Sequence, residues 1–294
     1  MKVLECHSKG DIRYSAFGAK IKVAGVFASI EHHYQFSKRV YGQAPPQVID
    51  EFKGKPITHF MIGTKMFPKE FLTQYFNLLW VKYFDVNPEL LKIASDYDDF
   101  RDIFKGKKTI NCQADAIRDI VKLGRNTVYN QCSDLLTLLK SKDNLLVLEK
   151  SLLESTQDIL GHQVNCQGAM NSGVAREVRE TDENIYRQYK LFCDTQNDKS
   201  KLLGECQIVK SNGKYIANLF GQCHYGREAI RYTDYDALRK SLSLLKEYAT
   251  VNKLSVSIPF NMGCVLGGGS WEVVSGTIAE IFNDYPIMLY KKTK

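Results

Sequence analysis

The chain has 294 residues, of which 44% are hydrophobic and 25% are charged, so it can form one large domain or two ordinary ones. No stretch approaches the roughly 20 apolar residues that cross a bilayer, and the start of the chain lacks the apolar segment of a signal peptide. The eight cysteines show neither a Cys-x-x-Cys pair nor a zinc-ligand spacing. We therefore expect a cytoplasmic protein with reduced thiols, no metal and no membrane partner.

The net charge of +7 is unevenly distributed. Residues 1–142 contain 22 Lys and Arg against 15 Asp and Glu, whereas the remaining residues contain 18 of each. The excess positive charge thus lies in the first half, where it is suited to attract a polyanion such as DNA or RNA. A solvated, slightly basic surface is the alternative explanation.

The first half is predicted to be a small, mainly helical α+β domain. Apolar runs predict strands over 19–23 and 58–62. Apolar residues also recur at intervals of three and four, which predicts helices over 30–41, 69–84, 88–97 and 112–123.

Polar residues mark one face of the first predicted helix. Glu31, Gln35 and Lys38 follow one another at i, i+4 and i+7, so they share a face. Ser29 precedes them and is suited to cap the helix N-terminus. A carboxylate and an amine on one face can form an acid/base or nucleophile pair for glycosidic chemistry. The alternative is an ordinary solvated Glu–Lys face, which this spacing often produces.

The same helix belongs to a wider set of motifs. The pattern Ser-x-Glu-His-x-Tyr-Gln-x-x-Lys over 29–38 is joined by segments 10–15, 79–83, 87–90 and 112–117. Together these segments resemble the NADAR family, which contains N-glycosidases acting on ADP-ribose attached to nucleobases.

The NADAR resemblance implies roles for four residues. Glu31 is the implied acid/base, and Lys38 attacks the anomeric carbon or stabilises an opened ribose. Trp80 and Lys82 are secondary candidates, with a core position as the alternative for Trp80. The tryptophan-rich segment usual in the family is poorly matched, because Trp80 is the one tryptophan of this half.

A domain boundary is predicted near 139–144, which gives domains 1–142 and 143–294. Beyond it, strand-like and helical segments alternate, which favours an α/β architecture with helices flanking a central sheet. The predicted strands are 145–148, 159–165, 206–211, 215–219, 254–260 and 286–291. The predicted helices are 174–192, 234–252 and 271–283.

Two loops rich in small residues each follow a strand and precede a helix in this half. The first lies within 161–176 and the second within 261–271. Small residues let backbone N–H groups approach an anion, and a helix N-terminus adds a favourable field. One such loop is a weak signal, since glycine also serves turn geometry. Two of them predict a ligand with two phosphates.

The two loops, with linking segments 203–205, 216–222 and 232–235, resemble the macro domain, which binds ADP-ribose. The resemblance covers roughly 145–294 and implies a three-layer α/β fold with a central mixed sheet. It also implies a pyrophosphate between the loops and Asn165 beside the distal ribose, where a neutral amide can both donate and accept. The implied ADP-ribose-binding residues are Asn165, Gly168, Met170, Ser172, Gly173, Val174, Phe260, Gly263, Cys264, Val265, Gly267 and Gly268. The alternatives are an Asx-turn for Asn165 and core positions for Met170 and Phe260.

Departures from the macro-domain pattern bear on catalysis. Val265 and Ser270 stand where the family usually has glycine and aspartate. The lysine and aspartate of deglycosylating relatives are missing near Gln222 and Gly267. His162 stands where another branch has a histidine that dephosphorylates ADP-ribose 1″-phosphate, and an acid/base histidine suits neutral pH. A structural histidine at a strand end is the alternative.

The sequence therefore predicts an enzyme of ADP-ribose metabolism. Its first half is expected to hydrolyse the N-glycosidic bond between ADP-ribose and a nucleobase, with guanine in DNA or RNA favoured. Its second half is expected to bind ADP-ribose or to act on a second linkage. This pairing suits repair of ADP-ribosylated nucleic acid, or a phage countering a host toxin in the host cytoplasm. The alternatives are a non-catalytic ADP-ribose-binding module and an ADP-ribose 1″-phosphate phosphatase. No cofactor is expected, since ADP-ribose is the ligand or product.

Overall fold

The computed structural model describes residues 1–102, 112–140 and 145–293. The chain divides into two compact units, Met1–Ser141 and Lys142–Lys294. The boundary predicted between residues 142 and 143 lies outside the described residues.

Helices predominate in the described part of the first unit, and the strands there are short. The helices are α1 (Ile30–Ser37), α2 (Leu72–Val86), α3 (Pro88–Ala94), α4 (Gln113–Leu123), α5 (Arg125–Gln131) and α6 (Ser133–Lys140). The strands are β1 (Val3–Glu5), β2 (Lys20–Val23), β3 (Val26–Ser29), β4 (Lys38–Arg39), β5 (His59–Ile62), β6 (Lys65–Pro68) and β7 (Asp99–Arg101). They form a parallel β1–β7 pair, a β2–β3 hairpin and an antiparallel β4–β5–β6 sheet. The small α+β architecture agrees with the prediction.

Helix α2 forms the centre of the first unit, because its apolar residues are buried along most of its length. These buried residues are Tyr75, Phe76, Leu79, Trp80, Val81, Tyr83 and Phe84. Helices α1, α3, α4 and α5 all contact α2, so the first unit has one core built around this helix.

The first helix is shorter than predicted. The sequence pattern extended it to residue 41, but α1 ends at Ser37. Lys38 and Arg39 leave the helix and pair with β5. The Arg39 guanidinium donates to the carbonyls of Phe36 and Lys38, both at 2.7 Å, and so satisfies the free C-terminal end of the helix.

The second unit contains one six-stranded sheet. The strands are β8 (Leu146–Leu148), β9 (Ile159–Asn165), β10 (Cys206–Ser211), β11 (Lys214–Gln222), β12 (Val256–Pro259) and β13 (Ile287–Tyr290). The helices are α7 (Gly173–Thr181), α8 (Glu183–Asp194), α9 (Tyr235–Asn252) and α10 (Trp271–Ile281). The strand order is β10-β11-β9-β12-β13-β8, with β10 antiparallel to its neighbour and the other pairs parallel. The mixed sheet agrees with the predicted α/β architecture.

Helices cover both faces of this sheet. A Cβ built on Gly161 in β9 would lie 3.2 Å from Leu245 of α9, so that face meets α9. Val164 points to the opposite face, because alternate strand residues do so. There it shares a core cluster with Tyr189 of α8 and with Phe220. The sheet therefore lies between two layers of helices, which gives the second unit a three-layer arrangement.

One predicted helix is divided in two. The segment 174–192 has helical periodicity, but the helix is interrupted at Asp182, whose backbone is extended with a φ of −160°. The Asp182 carboxylate accepts a bond from the Asn184 N–H at 2.9 Å and caps α8, so this local bond starts a new helix.

Five parallel strands end at one edge of the sheet. The segment after β9, residues 166–172, is called loop 1, and the segment after β12, residues 260–270, is called loop 2. Since both follow the carboxyl ends of strands in one parallel set, both emerge at this edge, where open α/β sheets bind ligands.

Candidate functional site

The predicted polar face of the first unit forms a chain of hydrogen bonds. The Ser29 hydroxyl accepts the His32 N–H at 3.2 Å and caps α1. The Gln35 amide N–H donates to Glu31 Oε1 at 2.7 Å, and Lys38 Nζ donates to Gln35 Oε1 at 2.9 Å. Gln35 therefore bridges the carboxylate and the amine. Lys38 reaches Gln35 from β4 and not from the helix, because α1 ends one residue earlier.

Burial moves the pKa values of both end groups towards their neutral forms. Desolvation raises the pKa of Glu31, although the Gln35 bond and the Lys38 charge oppose the shift. Desolvation lowers the pKa of Lys38, against the charges of Glu31 and Asp50. Lys38 Nζ also lies 4.0 Å from the centroid of the Tyr34 ring. A carboxyl and an amine with opposed shifts are typical of acid/base and nucleophilic sites.

The two secondary candidates on α2 have different environments. Trp80 is fully buried, and its ring centroid lies 5.7 Å from that of Tyr83 and 6.0 Å from that of Phe84. Its indole N–H is buried and has no hydrogen-bond partner among the described residues. Lys82 is exposed. These contacts agree with the alternative interpretation of Trp80, which is that it is a residue of the core.

Asn165 organises loop 1 in the second unit. Its Oδ1 accepts the backbone N–H of Gln167 at 2.9 Å and that of Ala169 at 3.2 Å, and its Nδ2 donates to the Ala169 carbonyl at 2.7 Å. This is the Asx-turn alternative. Met170 is fully buried in the core cluster that contains Tyr189, so it fills the core. Asn165 acts on the shape of the loop.

Both loops lead into helices whose first turns lack a side-chain cap. Ser172 precedes α7 and Ser270 precedes α10, and neither side chain makes a capping bond. Ser172 and Gly173 are exposed, and Val174 is half-buried. The first-turn N–H groups of such helices are available to an anion, and the helix dipole favours it.

Loop 2 is folded onto two polar residues that lie within the macro-domain motifs but were not among the candidate site residues. The Thr233 hydroxyl donates to the Gly263 carbonyl at 2.7 Å, and Gln163 Nε2 donates to Thr233 Oγ1 at 2.9 Å. A Cβ on Gly263 would lie 2.4 Å from Gln163 Oε1, and one on Gly267 would lie 2.3 Å from Thr233 Oγ1. Glycine is therefore required at both places. Sequence patterns could not find this contact, because the three partners come from separate strands and loops.

The structure brings the two loops together. A Cβ built on Gly173 would lie 4.0 Å from Leu266 Cδ1, so the tip of loop 2 reaches the start of α7. Val265 is 78% exposed at this tip. Phe260 is half-buried, and its ring centroid lies 4.5 Å from that of Trp271. The remaining loop 2 candidates are the half-buried Cys264 and the exposed Gly268.

His162 is part of the sheet and not of its edge. It lies inside β9, three positions before Asn165, and is 1% exposed. Its Nε2 lies 2.8 Å from Asn218 Oδ1 on β11, and desolvation lowers its pKa to about 4. A neutral, buried imidazole agrees with the alternative of a structural histidine. This position therefore does not support acid/base catalysis on a ligand.

An open cleft beside loop 2 was not predicted. Its volume is about 570 Å³, and its lining residues are Leu203, Cys223, His224, Tyr225, Glu228, Ile230, Arg231, Tyr232 and Asp234. A Cβ on Gly268 would lie 2.8 Å from the Ile230 carbonyl oxygen, so loop 2 borders this cleft.

A mixed sheet between helical layers, with two uncapped helix starts at its carboxyl edge, is the architecture of a macro domain. The chain resembles human ADP-ribose glycohydrolase OARD1, with 32% identity over 138 residues, 45% of this chain and 81% of the relative. The chain therefore belongs to the macro-domain family.

The chain also has similarities to one family model, a second relative and a solved structure. The model of the DarT1-associated NADAR antitoxin family matches residues 50–145, a range that begins after Glu31 and Lys38. Bovine OARD1 is 33% identical over 96 residues, 32% of this chain and 60% of the relative, so the chain spans less than two thirds of it. The macrodomain of Mycobacterium tuberculosis DarG is 21% identical, with a TM-score of 0.44, and the match covers 51% of this chain and 99% of that one. Within the described residues, no helix has the length and apolarity to cross a membrane.

Proposed function

We propose that this chain is an ADP-ribosyl hydrolase that cleaves the N-glycosidic bond between ADP-ribose and a nucleobase, guanine in DNA or RNA. The observation that carries the proposal is the Glu31–Gln35–Lys38 hydrogen-bond chain, with its desolvated acid and amine. The similarity to an ADP-ribose glycohydrolase and to a NADAR antitoxin family supports the substrate class. The excess positive charge of residues 1–142 supports a polyanionic substrate.

The two groups are suited to a two-step displacement. The Lys38 amine attacks C1″ of the ribose, the bond from C1″ to the guanine nitrogen breaks, and its electron pair goes to that nitrogen. Glu31 supplies the proton that the guanine nitrogen takes, and its carboxylate then receives the proton that the amine loses. Water next attacks C1″, the bond from C1″ to Lys38 Nζ breaks, and a proton from this water restores the Lys38 amine. The sum is one water consumed, with ADP-ribose and an unmodified guanine formed.

The second unit has a separate role, which is to bind ADP-ribose. The uncapped first turns of α7 and α10 are suited to a pyrophosphate, because both offer N–H groups and a favourable dipole. The proximity of Leu266 to Gly173 supports a ligand held by both loops. Since His162 is buried and neutral, the role proposed for this unit is recognition.

The test uses an oligonucleotide that carries ADP-ribosylated guanine and compares four proteins. They are the wild type, Glu31→Gln, Asn165→Ala and Glu89→Gln, the last an exposed glutamate of α3 that serves as a matched control. ADP-ribose release should fall by a factor of about 10² to 10⁴ in Glu31→Gln and stay normal in Glu89→Gln. Calorimetric binding of free ADP-ribose should weaken in Asn165→Ala alone, because loop 1 loses its organising bonds.

Two results would contradict the proposal. Equal release by the wild type and Glu31→Gln would remove the first unit from the chemistry. Tight ADP-ribose binding without release by any of the proteins would identify a binding module, which is the alternative class.

A further inference from the structure

Two exposed aromatic side chains lie just before the candidate catalytic helix. Phe17 is 48% exposed and Phe27 is 69% exposed, and no other phenylalanine in the described part of the chain is counted among the exposed residues. Exposing a phenyl ring to water is unfavourable, by roughly 25 cal/mol for each Å² of apolar surface. Two such rings in one short segment therefore suggest a surface that is covered in a complex.

Lysines share the face of the hairpin that carries Phe27. In the β2–β3 pairing, Lys22 lies opposite Phe27 and Lys20 lies opposite Ser29. Residues that are directly opposite in an antiparallel pair project to the same face. Both lysines are exposed, whereas Ile21 between them is buried. One hairpin face thus combines two cationic groups and an aromatic ring.

This segment is attached to the start of α1 by backbone hydrogen bonds. The Ile30 N–H donates to the Ala19 carbonyl and the Glu31 N–H donates to the Ala16 carbonyl, both at 2.8 Å. Phe17 directly follows Ala16, so the exposed aromatics flank the turn from which Glu31 projects. The hairpin and the candidate acid are therefore one local structure.

We propose that the segment 17–29 binds single-stranded nucleic acid, with bases stacked on Phe27 and Phe17 and with phosphates held by Lys20 and Lys22. This inference rests on the proposed function, because it names the carrier of the ADP-ribosylated base. Aromatic rings beside lysines bind single strands without sequence preference, since every base has a stacking face. A duplex offers no free base faces to such rings, so the single strand is the favoured form.

The test measures fluorescence anisotropy of an unmodified, labelled single-stranded DNA with the full chain, so that the glycosidase chemistry is not involved. Phe27→Ala should weaken binding by between about 5-fold and about 150-fold, the range for loss of one stacking platform. Phe27→Trp should restore binding, because it replaces one aromatic face by a larger one.

A second variant tests the charges. Lys20→Gln/Lys22→Gln should reduce the slope of log affinity against log salt by about 1.4, since each single-strand phosphate contact contributes about 0.7. The matched control is Lys92→Gln/Lys201→Gln, which removes two exposed lysines outside the segment and should leave the slope nearly unchanged. Equal slopes for the two double variants, or an unchanged affinity in Phe27→Ala, would overturn the proposal. Tighter binding of duplex than of single strand would also overturn it.

The same proteins separate this inference from the proposed function. Phe27→Ala should release ADP-ribose from an ADP-ribosylated guanosine monomer at the wild-type rate, and from the oligonucleotide more slowly at subsaturating concentrations. Monomer turnover with no hairpin effect on DNA binding would reject the docking surface alone. DNA binding that depends on Phe27, without turnover of either substrate, would reject the glycosidase.

Discussion

The two units hold their candidate sites by different means. In the second unit the groups proposed to face the ligand are backbone amides, at two uncapped helix starts and in loops with glycines such as Gly263. In the first unit they are the titratable side chains of Glu31 and Lys38, bridged by Gln35. A backbone site depends on loop shape and little on pH, whereas a side-chain site depends on single functional groups and on their protonation. The predictions below test this contrast.

The largest effect is expected from Lys38→Arg in the first unit. Arginine keeps the positive charge but cannot serve as a nucleophile, because it stays protonated in proteins. ADP-ribose release should fall by at least about 100-fold, and borohydride should trap a covalent adduct on the wild type alone, because the glycosylamine on Lys38 opens to an imine that borohydride reduces. The control Lys92→Arg changes an exposed lysine of α3 and should keep both signals. Full activity in Lys38→Arg would mean that Lys38 acts by its charge, on an opened ribose.

In the second unit, protonation of His162 should change the free energy of unfolding and should not change the chemical reaction. The pKa of His162 is lowered to about 4 in the folded state, and an unfolded histidine has a value of about 6.5. The unfolded chain alone binds the proton between these values, so stability is complete above about pH 6.5 and falls as the pH decreases towards 4. The loss amounts to about 3 kcal/mol.

Hydrogen exchange of the β9 and β11 amides between pH 7 and pH 4.5 measures this loss, after correction for intrinsic exchange rates. His162→Gln should weaken the dependence, and His224→Gln, which changes an exposed histidine, should leave it in place. An equal dependence in both variants would show that other groups cause it.

Local patterns predicted much of the fold. The bounds of β9 and β10 agree with the sequence, because apolar runs there are closed by polar or small residues. The start of α9 also agrees, since Asp234 accepts the Ala237 N–H at 2.9 Å as a cap. The end of α1 and the break at Asp182 were not predicted, because strand pairing and a local side-chain bond override helical periodicity there.

The candidate sites were predictable to a lesser degree. The spacing of Glu31 and Lys38 indicated their shared face, but not the desolvation that shifts both pKa values. The loops were visible as small-residue runs. The contacts of Gln163 and Thr233 that shape loop 2 join residues 70 positions apart, and no local pattern encodes such a contact.

The contrast predicts that a single methyl group can weaken ligand binding at the second site. Gly263 has φ of +72°, and a Cβ there would lie 2.4 Å from Gln163 Oε1. Gly263→Ala must therefore either shift loop 2 or introduce about 1–2 kcal/mol of backbone strain. The affinity for ADP-ribose should then fall by about 10-fold. Calorimetry with free ADP-ribose measures this affinity.

Gly276→Ala is the matched control for this methyl group. A Cβ on Gly276, inside α10, meets no atom within 4 Å, so affinity should be kept and the helix stabilised by up to about 1 kcal/mol. Equal affinity of the wild type and Gly263→Ala would show that loop 2 is not part of the binding site.

The smallest effect is expected from Asp50 in the first unit. The proposed mechanism gives this residue no part in proton transfer or nucleophilic attack. Asp50 raises the pKa of both Glu31 and Lys38 through its charge. Asp50→Asn should keep the backbone, because asparagine tolerates the φ of +66° found there. Without the charge, Glu31 loses its proton at lower pH and Lys38 becomes neutral at lower pH. The proposed mechanism needs a protonated Glu31 and a neutral Lys38, so both limbs of the bell-shaped pH–rate profile should move to lower pH. Asp96→Asn, an exposed control outside the site, should leave the profile in place. A shift of one limb alone would mean that only one of the two residues takes part in proton transfer.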